Sequence, residues 1–196
     1  MKRSAFILLA MCSIGFGALP PGAASGQARS DWTTLFDGSS LDGWTALGTA
    51  NWELVDGAVQ ADSGSGFLVS TRSYGDFELA LEFWVDEPAN SGVFIRCADP
   101  QTIRDTNSYE VNIYDTRPDQ TYRTGGIVHV AAPTSVINAG GQWNRYEIMA
   151  RGPRLMVTLN GTRTVDVEDG QYAAGPIALQ YGAGVVKFRN VRIRPL

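Results

Sequence analysis

Apolar and polar residues alternate along much of the chain, and residues 77–85 show this most clearly. There Phe77, Leu79 and Phe83 belong to an apolar set that alternates with Glu78 and Glu82. A period of two places the apolar side chains on one face, which predicts a half-buried β-strand. No segment has a convincing helical period. Further strands are predicted at residues 92–96, 109–114, 126–130, 143–150, 176–180 and 185–193.

Two dipeptides between such runs, Asp56-Gly57 and Asn160-Gly161, are of the kind that closes a tight β-hairpin. A type I′ turn needs positive φ at both central residues, which Asn, Asp and Gly tolerate best. Each dipeptide therefore predicts an antiparallel pair. The joined runs are residues 52–55 with 58–61, the apolar Trp52, Leu54, Val59 and Ala61 sharing one face, and residues 154–159 with 162–167.

The number of short strands decides the fold class. Roughly a dozen strands in about 165 residues, with 22 Gly and 9 Pro in the chain, favour two antiparallel sheets packed face to face. We therefore predict an all-β fold, a jelly-roll sandwich. The longest segments without a strand pattern are residues 86–91, 98–108, 115–125 and 131–142, and loops of this length in a compact domain often carry binding or catalysis.

The first residues are typical of an export signal. Lys2 and Arg3 precede an uncharged apolar run over residues 5–19, too short to span a bilayer. Small residues allow cleavage after Ser25 or Ala28, and we favour Ala28. The domain prediction is thus a signal peptide over 1–28 and one sandwich domain over 29–196, in the periplasm or outside the cell. Lipidation at Cys12 is the alternative, disfavoured because Met11 is large for the preceding position.

The net charge limits which ligands the protein is expected to bind, and the cysteine content limits its disulfides. The chain has 16 Lys and Arg against 20 Asp and Glu, and loss of Lys2 and Arg3 takes the net charge from −4 to about −6. This argues against nucleic acid or anionic lipid as the main partner. Cys97 would be the one thiol of the mature chain, so no disulfide is expected within it. We expect a monomer with no transmembrane segment in the mature chain.

Candidate chemistry comes from polar side chains on predicted strands. The sequence contains no phosphate-binding glycine loop, paired zinc ligands or nucleophile elbow, so we predict no cofactor and no metal. Glu110 and Asn112 alternate with Val111 and precede a long polar loop, while Arg96 follows an apolar strand. A carboxylate and a guanidinium on one side could hold sugar hydroxyls. A solvated sheet face with a surface ion pair is the alternative.

His129 is the sole histidine and could act as a general base near neutral pH, or could be a hydrogen-bonded histidine within a sheet. Most of the five tryptophans are expected in the core, with Trp84 the best exposed candidate for stacking on a sugar. The predicted site combines these residues with others from the same strands and loops: catalytic Glu110, His129, Arg96 and Lys187, and substrate-binding Asn112, Asp115, Tyr122, Arg123, Gln180 and Trp84.

A series of short motifs runs in a specific order along nearly the whole mature chain. The motifs are Leu35-Phe36-Asp37-Gly38, Leu41-Asp42-Gly43-Trp44, Asn90-Ser91-Gly92-Val93-Phe94-Ile95-Arg96, Tyr109-Glu110-Val111-Asn112-Ile113, Thr124-Gly125-Gly126-Ile127, Gly141-Gln142-Trp143-Asn144, Leu159-Asn160-Gly161, Gly175-Pro176-Ile177-Ala178-Leu179-Gln180 and Phe188-Arg189-Asn190-Val191-Arg192-Ile193. Their order resembles the 3-keto-disaccharide hydrolase domain family. The resemblance implies a concanavalin-like jelly roll of the lectin and glucanase type, export from a bacterium, and action on 3-keto-glycosides.

The chemistry that the resemblance implies needs a base, an acid and a group that stabilises an enolate. A ketone at C3 acidifies the C2 proton, so a base can remove it and the C1 oxygen can leave, after which water adds. Glu110 or His129 would be the base, and Arg96 or Lys187 would stabilise the enolate.

The chain also departs from the family pattern. Many members carry Asp-His-Gly where this chain continues Gln180-Tyr181-Gly182, and Asn112 stands where Gln is commoner. A non-catalytic carbohydrate-binding module therefore remains the alternative function, and an exported scaffold without a sugar ligand is a third.

Overall fold

The computed structural model describes Met1 and residues 31–196 and contains thirteen β-strands and one short 3₁₀ helix, Gln120–Tyr122. The strands are β1 Thr33–Phe36, β2 Trp44–Gly48, β3 Glu53–Val55, β4 Ala58–Ala61, β5 Gly66–Tyr74, β6 Phe77–Val85, β7 Ser91–Ile95, β8 Tyr109–Ile113, β9 Trp143–Arg151, β10 Arg154–Leu159, β11 Thr162–Glu168, β12 Gly175–Tyr181 and β13 Val186–Pro195.

The strands form two antiparallel sheets. The eight-stranded sheet has the order β11-β10-β9-β6-β13-β4-β3, with β1 also paired to β13, and the five-stranded sheet has the order β2-β5-β12-β7-β8. In the five-stranded sheet only β7 and β8 are consecutive along the chain. The other neighbours are more distant in sequence, so most of this pairing depends on the whole fold. The all-β sandwich prediction is confirmed.

The alternation of apolar and polar residues determines which side of each sheet faces the core. In β6, Phe77, Leu79 and Phe83 are at most 1% exposed and belong to the core, whereas Glu78 and Glu82 are only partly buried. In β8, Tyr109 and Val111 point to the same core. Since successive side chains of a strand point to opposite sides, Glu110 and Asn112 must lie on the outer face of the five-stranded sheet.

Both predicted hairpins are confirmed. Asp56 and Gly57 have φ of 51° and 74°, and Asn160 and Gly161 have φ of 50° and 80°. Leu54 pairs with the buried Val59 but is 44% exposed, because β3 is an edge strand.

Other predicted strands differ in detail. The strand predicted at residues 126–130 is wrong, since only Ile127 forms bridges, to Val111 and Ala131, in a segment that turns there. The structure adds β1, β2 and β5 as strands for which the sequence offered no clear alternation. In β5 the run Leu68, Val69 and Ser70 is buried on both faces, and burial on both faces removes the period of two.

Asp31–Leu196 forms one compact unit. The predicted signal peptide, with its cleavage points and the Cys12 alternative, falls outside the described residues. Among the described residues no helix has the length and apolar character needed to cross a membrane. Cys97 is buried with a free thiol, and burial raises its pKa to about 12, so it is held as a neutral thiol.

Candidate functional site

A cleft of about 330 Å³ opens on the outer face of the five-stranded sheet, and we call it the Glu110 cleft. Two rows of cross-strand neighbours pass beneath it, and Phe67, Phe94, Glu110 and Gln180 from these rows line its floor. One row runs from Val69 through Ala178 and Phe94 to Glu110. The next pairs Phe67 with Gln180 and Gly92 with Asn112. The floor is therefore apolar at its centre and polar along one side, as expected of a site for a small polar molecule.

Gly92 lets the Glu110 side chain pack closely against β7. A Cβ added at Gly92 would lie 3.0 Å from Oε1 of Glu110, 3.1 Å from its Cγ and 3.3 Å from the ring of Phe94. The continuing register sets Gly92 between Gln180 and Asn112 in its row. The absence of a side chain at this position therefore makes room for the Glu110 carboxyl group and helps to fix where it lies.

Glu110 is the one strongly perturbed acid of the described residues. It is 6% exposed, and none of these residues hydrogen-bonds its carboxyl group. Its pKa is raised to about 7, mainly because the group is buried; the nearby Asp105 carboxylate adds to the rise, and the Arg117 guanidinium opposes both. A carboxyl group with a pKa near neutrality can accept or donate a proton at physiological pH, which an ordinary glutamate does poorly.

The β7–β8 loop forms one wall of the cleft. Ile103 is 7% exposed and packs with Phe94 in a small apolar cluster, which anchors the loop over the sheet. The loop thereby brings Arg104 and Asp105 to the cleft.

His129 reaches this wall through Asp105. Its Nε2 lies 3.0 Å from Oδ2 of Asp105, and its ring packs edge-on to Tyr122 at 5.9 Å between centroids. The side chain is 54% exposed, which excludes the alternative of a histidine inside a sheet. The residue has φ of 64°, unusual for a residue with a side chain, so the fold holds it in a strained turn. The structure thus links the predicted Glu110 and His129 through a residue that the sequence did not single out.

Buried polar atoms without partners border the cleft. Oε1 of Gln180 and Nε of Arg117, both from cleft-lining residues, have no hydrogen-bond partner, and neither does Oδ1 of Asn112. Nδ2 of Asn112 donates to the carbonyl of Tyr122. An unsatisfied buried group costs free energy unless water or a ligand supplies the bond. These atoms are therefore places where hydroxyl or carbonyl groups of a ligand could bind.

The prediction that Arg96 belongs to the site is wrong. Its side chain is 1% exposed and donates to the carbonyls of Gly75, Gly152 and Tyr172 and to Oδ1 of Asp76 at 3.0 Å. Its φ of 52° breaks the alternation on which the prediction relied. Arg96 is a structural cross-link between loops, and the guanidinium groups that line the cleft come instead from Arg104 and Arg117.

Lys187 and Trp84 are also misplaced by the prediction. They are cross-strand neighbours on β13 and β6, and the Lys187 ammonium lies 5.3 Å from the Trp84 ring centroid. Their strands belong to the eight-stranded sheet and their core neighbours are Phe188 and Phe83, so both point away from the sandwich on the face opposite the cleft.

Asp115 and Arg123 lie at a second cleft, of about 320 Å³, lined also by Glu87 and Asn138. Asp115 accepts hydrogen bonds from the backbone of Ala139 at 2.7 Å and from the Thr124 hydroxyl at 2.6 Å. It therefore ties the end of β8 to two loops. The predicted single cluster divides into Glu110 and Gln180 in the cleft, His129, Tyr122 and Asn112 beside it, and Asp115 and Arg123 elsewhere.

Sequence reasoning missed Asp105, Arg104, Arg117 and Tyr114 as cleft residues. Three come from irregular segments, where no period indicates a side chain's direction, and Tyr114 directly follows β8. The signal available was only that these segments were long. No group of three or more potential metal ligands occurs within the part of the chain that the structure describes.

A family model described as the 3-keto-alpha-glucoside-1,2-lyase-like domain matches residues 31–194. The chain belongs to this family. A relative from Bacteroides thetaiotaomicron, named 3-keto-disaccharide hydrolase, is 26% identical over 151 residues. The match covers 60% of this chain and 52% of the relative, so the chain spans about half of that relative's length.

Solved structures share the fold of this lyase-like domain. Two proteins of Parabacteroides distasonis, both described as candidate glycosyl hydrolases, have TM-scores of 0.76 and 0.72 at 18% and 26% identity. They cover 89% and 84% of this chain, and the match spans 98% and 99% of their own chains. A carbohydrate-binding module of Bacillus subtilis has a TM-score of 0.60 at 18% identity, covering 76% of this chain and 94% of its own. Below 25% identity the likeness shows the sandwich fold alone.

Proposed function

We propose that this lyase-like domain acts on 3-keto-glycosides, with the Glu110 cleft as the active site. The observation that carries the proposal is a buried carboxyl group whose pKa lies near 7 and which lines the same cleft as a guanidinium. Such a group is suited to removing the C2 proton that a neighbouring ketone acidifies. The relative from Bacteroides thetaiotaomicron, named as a 3-keto-disaccharide hydrolase, supports this substrate class.

The proposed reaction assigns a role to each group at the cleft. The Glu110 carboxylate takes the C2 proton, and the electron pair left on carbon delocalises onto the C3 oxygen as an enolate. The Arg117 guanidinium stabilises that negative charge, since it lines the same cleft and carries a donor without a partner. Collapse of the enolate breaks the C1–O bond and gives an enone, and addition of water then yields the 3-keto sugar.

The leaving oxygen at C1 needs a proton, and we assign its delivery to His129. Asp105 contacts this imidazole and lines the cleft. In this role Asp105 orients the ring through the 3.0 Å contact, as an acidic partner does for many catalytic histidines. The 54% exposure of the His129 side chain allows it to exchange protons with solvent between turnovers.

The test incubates the purified protein with a 3-keto-disaccharide and with its unoxidised parent. We expect consumption of the keto sugar alone, with loss of at least about 100-fold in rate for Glu110→Gln and about tenfold or more for His129→Ala. Glu82→Gln, which changes a glutamate on the opposite sheet, serves as the matched control and should retain the rate. A Glu110→Gln enzyme with undiminished turnover would overturn the assignment.

A non-catalytic carbohydrate-binding module is the second candidate. The observation in its favour is that Tyr181-Gly182-Ala183 follows Gln180, so no second histidine is available near the cleft. A module would bind the keto sugar or its parent in the cleft and release no product. Binding without products, lost in Gly92→Ala, would select this function over the enzyme.

Export remains part of the proposal. Expression of the full chain in a bacterial host, followed by cell fractionation and N-terminal sequencing, would test it. We expect the processed form to begin at Arg29 and to leave the cytoplasm. A cytoplasmic protein that retains Lys2 and Arg3 would contradict this.

A further inference from the structure

Trp84, singled out from the sequence as the tryptophan most suited to a sugar, lies on the outer face of the eight-stranded sheet. It is directly opposite Trp143 on β9 and directly opposite Lys187 on β13. Lys187 in turn pairs with Gln60 on β4. The four side chains form one row across four strands, about 14 Å long at ~4.8 Å between strands. This row is longer than a single sugar ring.

The two indoles take no part in packing the buried core. Trp143 is 38% exposed, and its neighbour Asn144 is the one that points inward, at 2% exposure. Neither Trp84 nor Trp143 belongs to the buried core. Two adjacent indoles outside the core provide aromatic surface against which sugar rings can pack, on the parts of the rings that neighbouring cations leave uncovered.

Cationic groups lie against both indoles. The Arg189 guanidinium, from the neighbouring row, lies over one face of the Trp143 ring at 3.8 Å from its centroid and is paired with Glu82 at 2.7 Å. The Lys187 ammonium has no carboxylate within 4.0 Å among the described residues. Its positive charge beside an aromatic surface is thus available to an anionic group of a ligand.

The outer face of the eight-stranded sheet carries more basic than acidic side chains, whereas the rest of the protein is acidic. Strand alternation and register place eight basic side chains on the outer face of the eight-stranded sheet, Arg145, Arg151, Arg154, Arg163, Lys187, Arg189, Arg192 and Arg194. Six acidic side chains share the face, Glu53, Glu78, Glu82, Glu147, Asp166 and Glu168. The remainder of residues 31–196 carries five basic and fourteen acidic residues. The face is therefore positive on an acidic protein.

We propose that the row formed by Gln60, Lys187, Trp84 and Trp143 is a second binding site, for an acidic polysaccharide whose uronate rings stack on the indoles while a carboxylate pairs with Lys187. The net charge of the whole chain concealed this site, since it averages two regions of opposite sign. Acidic residues interspersed among the basic ones make the face a poor track for a continuous phosphate backbone, which favours the sparser charge of a polyuronate over nucleic acid. The site is independent of the Glu110 cleft.

The experiment measures binding of the full-length mature protein to polygalacturonate by calorimetry, with fully methyl-esterified polygalacturonate as the uncharged ligand. We expect binding of the acid form and weakening by about tenfold after esterification, after Trp143→Ala or after Lys187→Gln. Added salt should weaken binding as well. Leu54→Ala, which removes a comparably exposed apolar side chain from β3, and Arg72→Gln, which removes a charge from the other sheet, should leave the affinity unchanged.

Glu110→Gln separates this inference from the proposed function, because it disables the cleft and should bind polygalacturonate like the unaltered protein. Circular dichroism confirms that each variant is folded, and Trp143→Tyr, which keeps an aromatic ring, should retain most of the affinity. Absence of polygalacturonate binding, equal binding of the ester, or unchanged affinity in Trp143→Ala would overturn the inference. Tighter binding to single-stranded DNA or to phosphatidylglycerol vesicles at the same salt would also overturn it, by showing a different partner.

Discussion

Glu110 and Glu82 occupy equivalent positions on the outer faces of opposite sheets, yet their surroundings differ. A loop anchored by Ile103 stands beside Glu110, and burial raises its pKa to about 7. Burial also disfavours the charged form of Glu82, but hydrogen bonds from Arg189 and Asn190 outweigh it and lower the pKa. The comparison teaches that alternation alone turns a carboxyl group outward, and that the covering loop and the available partners decide its chemistry.

The largest expected effect tests which guanidinium belongs to the cleft. Arg96→Met should lower the free energy of unfolding by about 3 kcal/mol, because it leaves three loop carbonyls and Asp76 without their donor. Turnover per folded molecule should remain. Urea unfolding and a rate normalised to folded protein check this. If Arg96→Met kept full stability but lost turnover, Arg96 would belong to the active site after all.

Arg117→Met should have the opposite effect to Arg96→Met, lowering turnover but not stability. Arg117 lines the cleft and lowers the pKa of Glu110, so we expect turnover to fall by about 100-fold and the pH midpoint of the rate to rise. Stability should change little, since Nε of Arg117 has no partner to lose. A pH–rate profile measures both effects, and an unshifted midpoint would contradict the assigned proximity to Glu110.

The pH dependence of stability should differ in sign between the two glutamates. The raised pKa of Glu110 means that its contribution is fully present below about pH 4.5 and is lost as the pH rises through about 7. Glu110→Gln should therefore stabilise the protein above pH 8 by on the order of 2 kcal/mol relative to the parent, and little at pH 4. Thermal unfolding across this range measures the difference.

Glu82→Gln is the matched control for that measurement. Because the folded pKa of Glu82 is lowered, its contribution is present above its unfolded pKa and is lost as the pH falls through the folded value. The substitution should thus destabilise the protein at neutral pH and matter less in acid. Parallel pH curves for the two variants would mean that the two faces do not differ as described.

The smallest effect concerns Gly92, against which the Glu110 side chain packs. Gly92→Ala places a methyl group 3.0–3.3 Å from Glu110 and Phe94, so the Glu110 side chain must shift by a few tenths of an ångström, and no positive φ opposes the change. We expect sugar affinity or turnover to fall by about tenfold with stability changed by less than about 1 kcal/mol. Gly170→Ala, where the added carbon meets only Pro153 at 3.7 Å, is the control. Equal behaviour of the two variants would show that the ligand lies elsewhere.

Much of the fold was predictable from local signals. The alternation over Phe77–Val85 and the dipeptides Asp56-Gly57 and Asn160-Gly161 act within a few residues, where side-chain direction and φ preference are intrinsic. Glu110 and Gln180 were found because they alternate with core residues. Arg96 was misplaced because its positive φ interrupts that alternation, which its strand pattern does not reveal.

The sequence by itself determined which side chains share a face of a strand, because successive side chains of any extended backbone point to opposite sides. It also determined the family, through the order of its motifs. Tertiary structure alone decided which sheet each strand joins, and hence that Trp84 and Lys187 lie on the face opposite Glu110. It also decided that Asp105 and Arg117 meet Glu110. Those residues come from loops, and they lie near Glu110 only because the loops fold over the outer face of the five-stranded sheet and shield the carboxyl group from water.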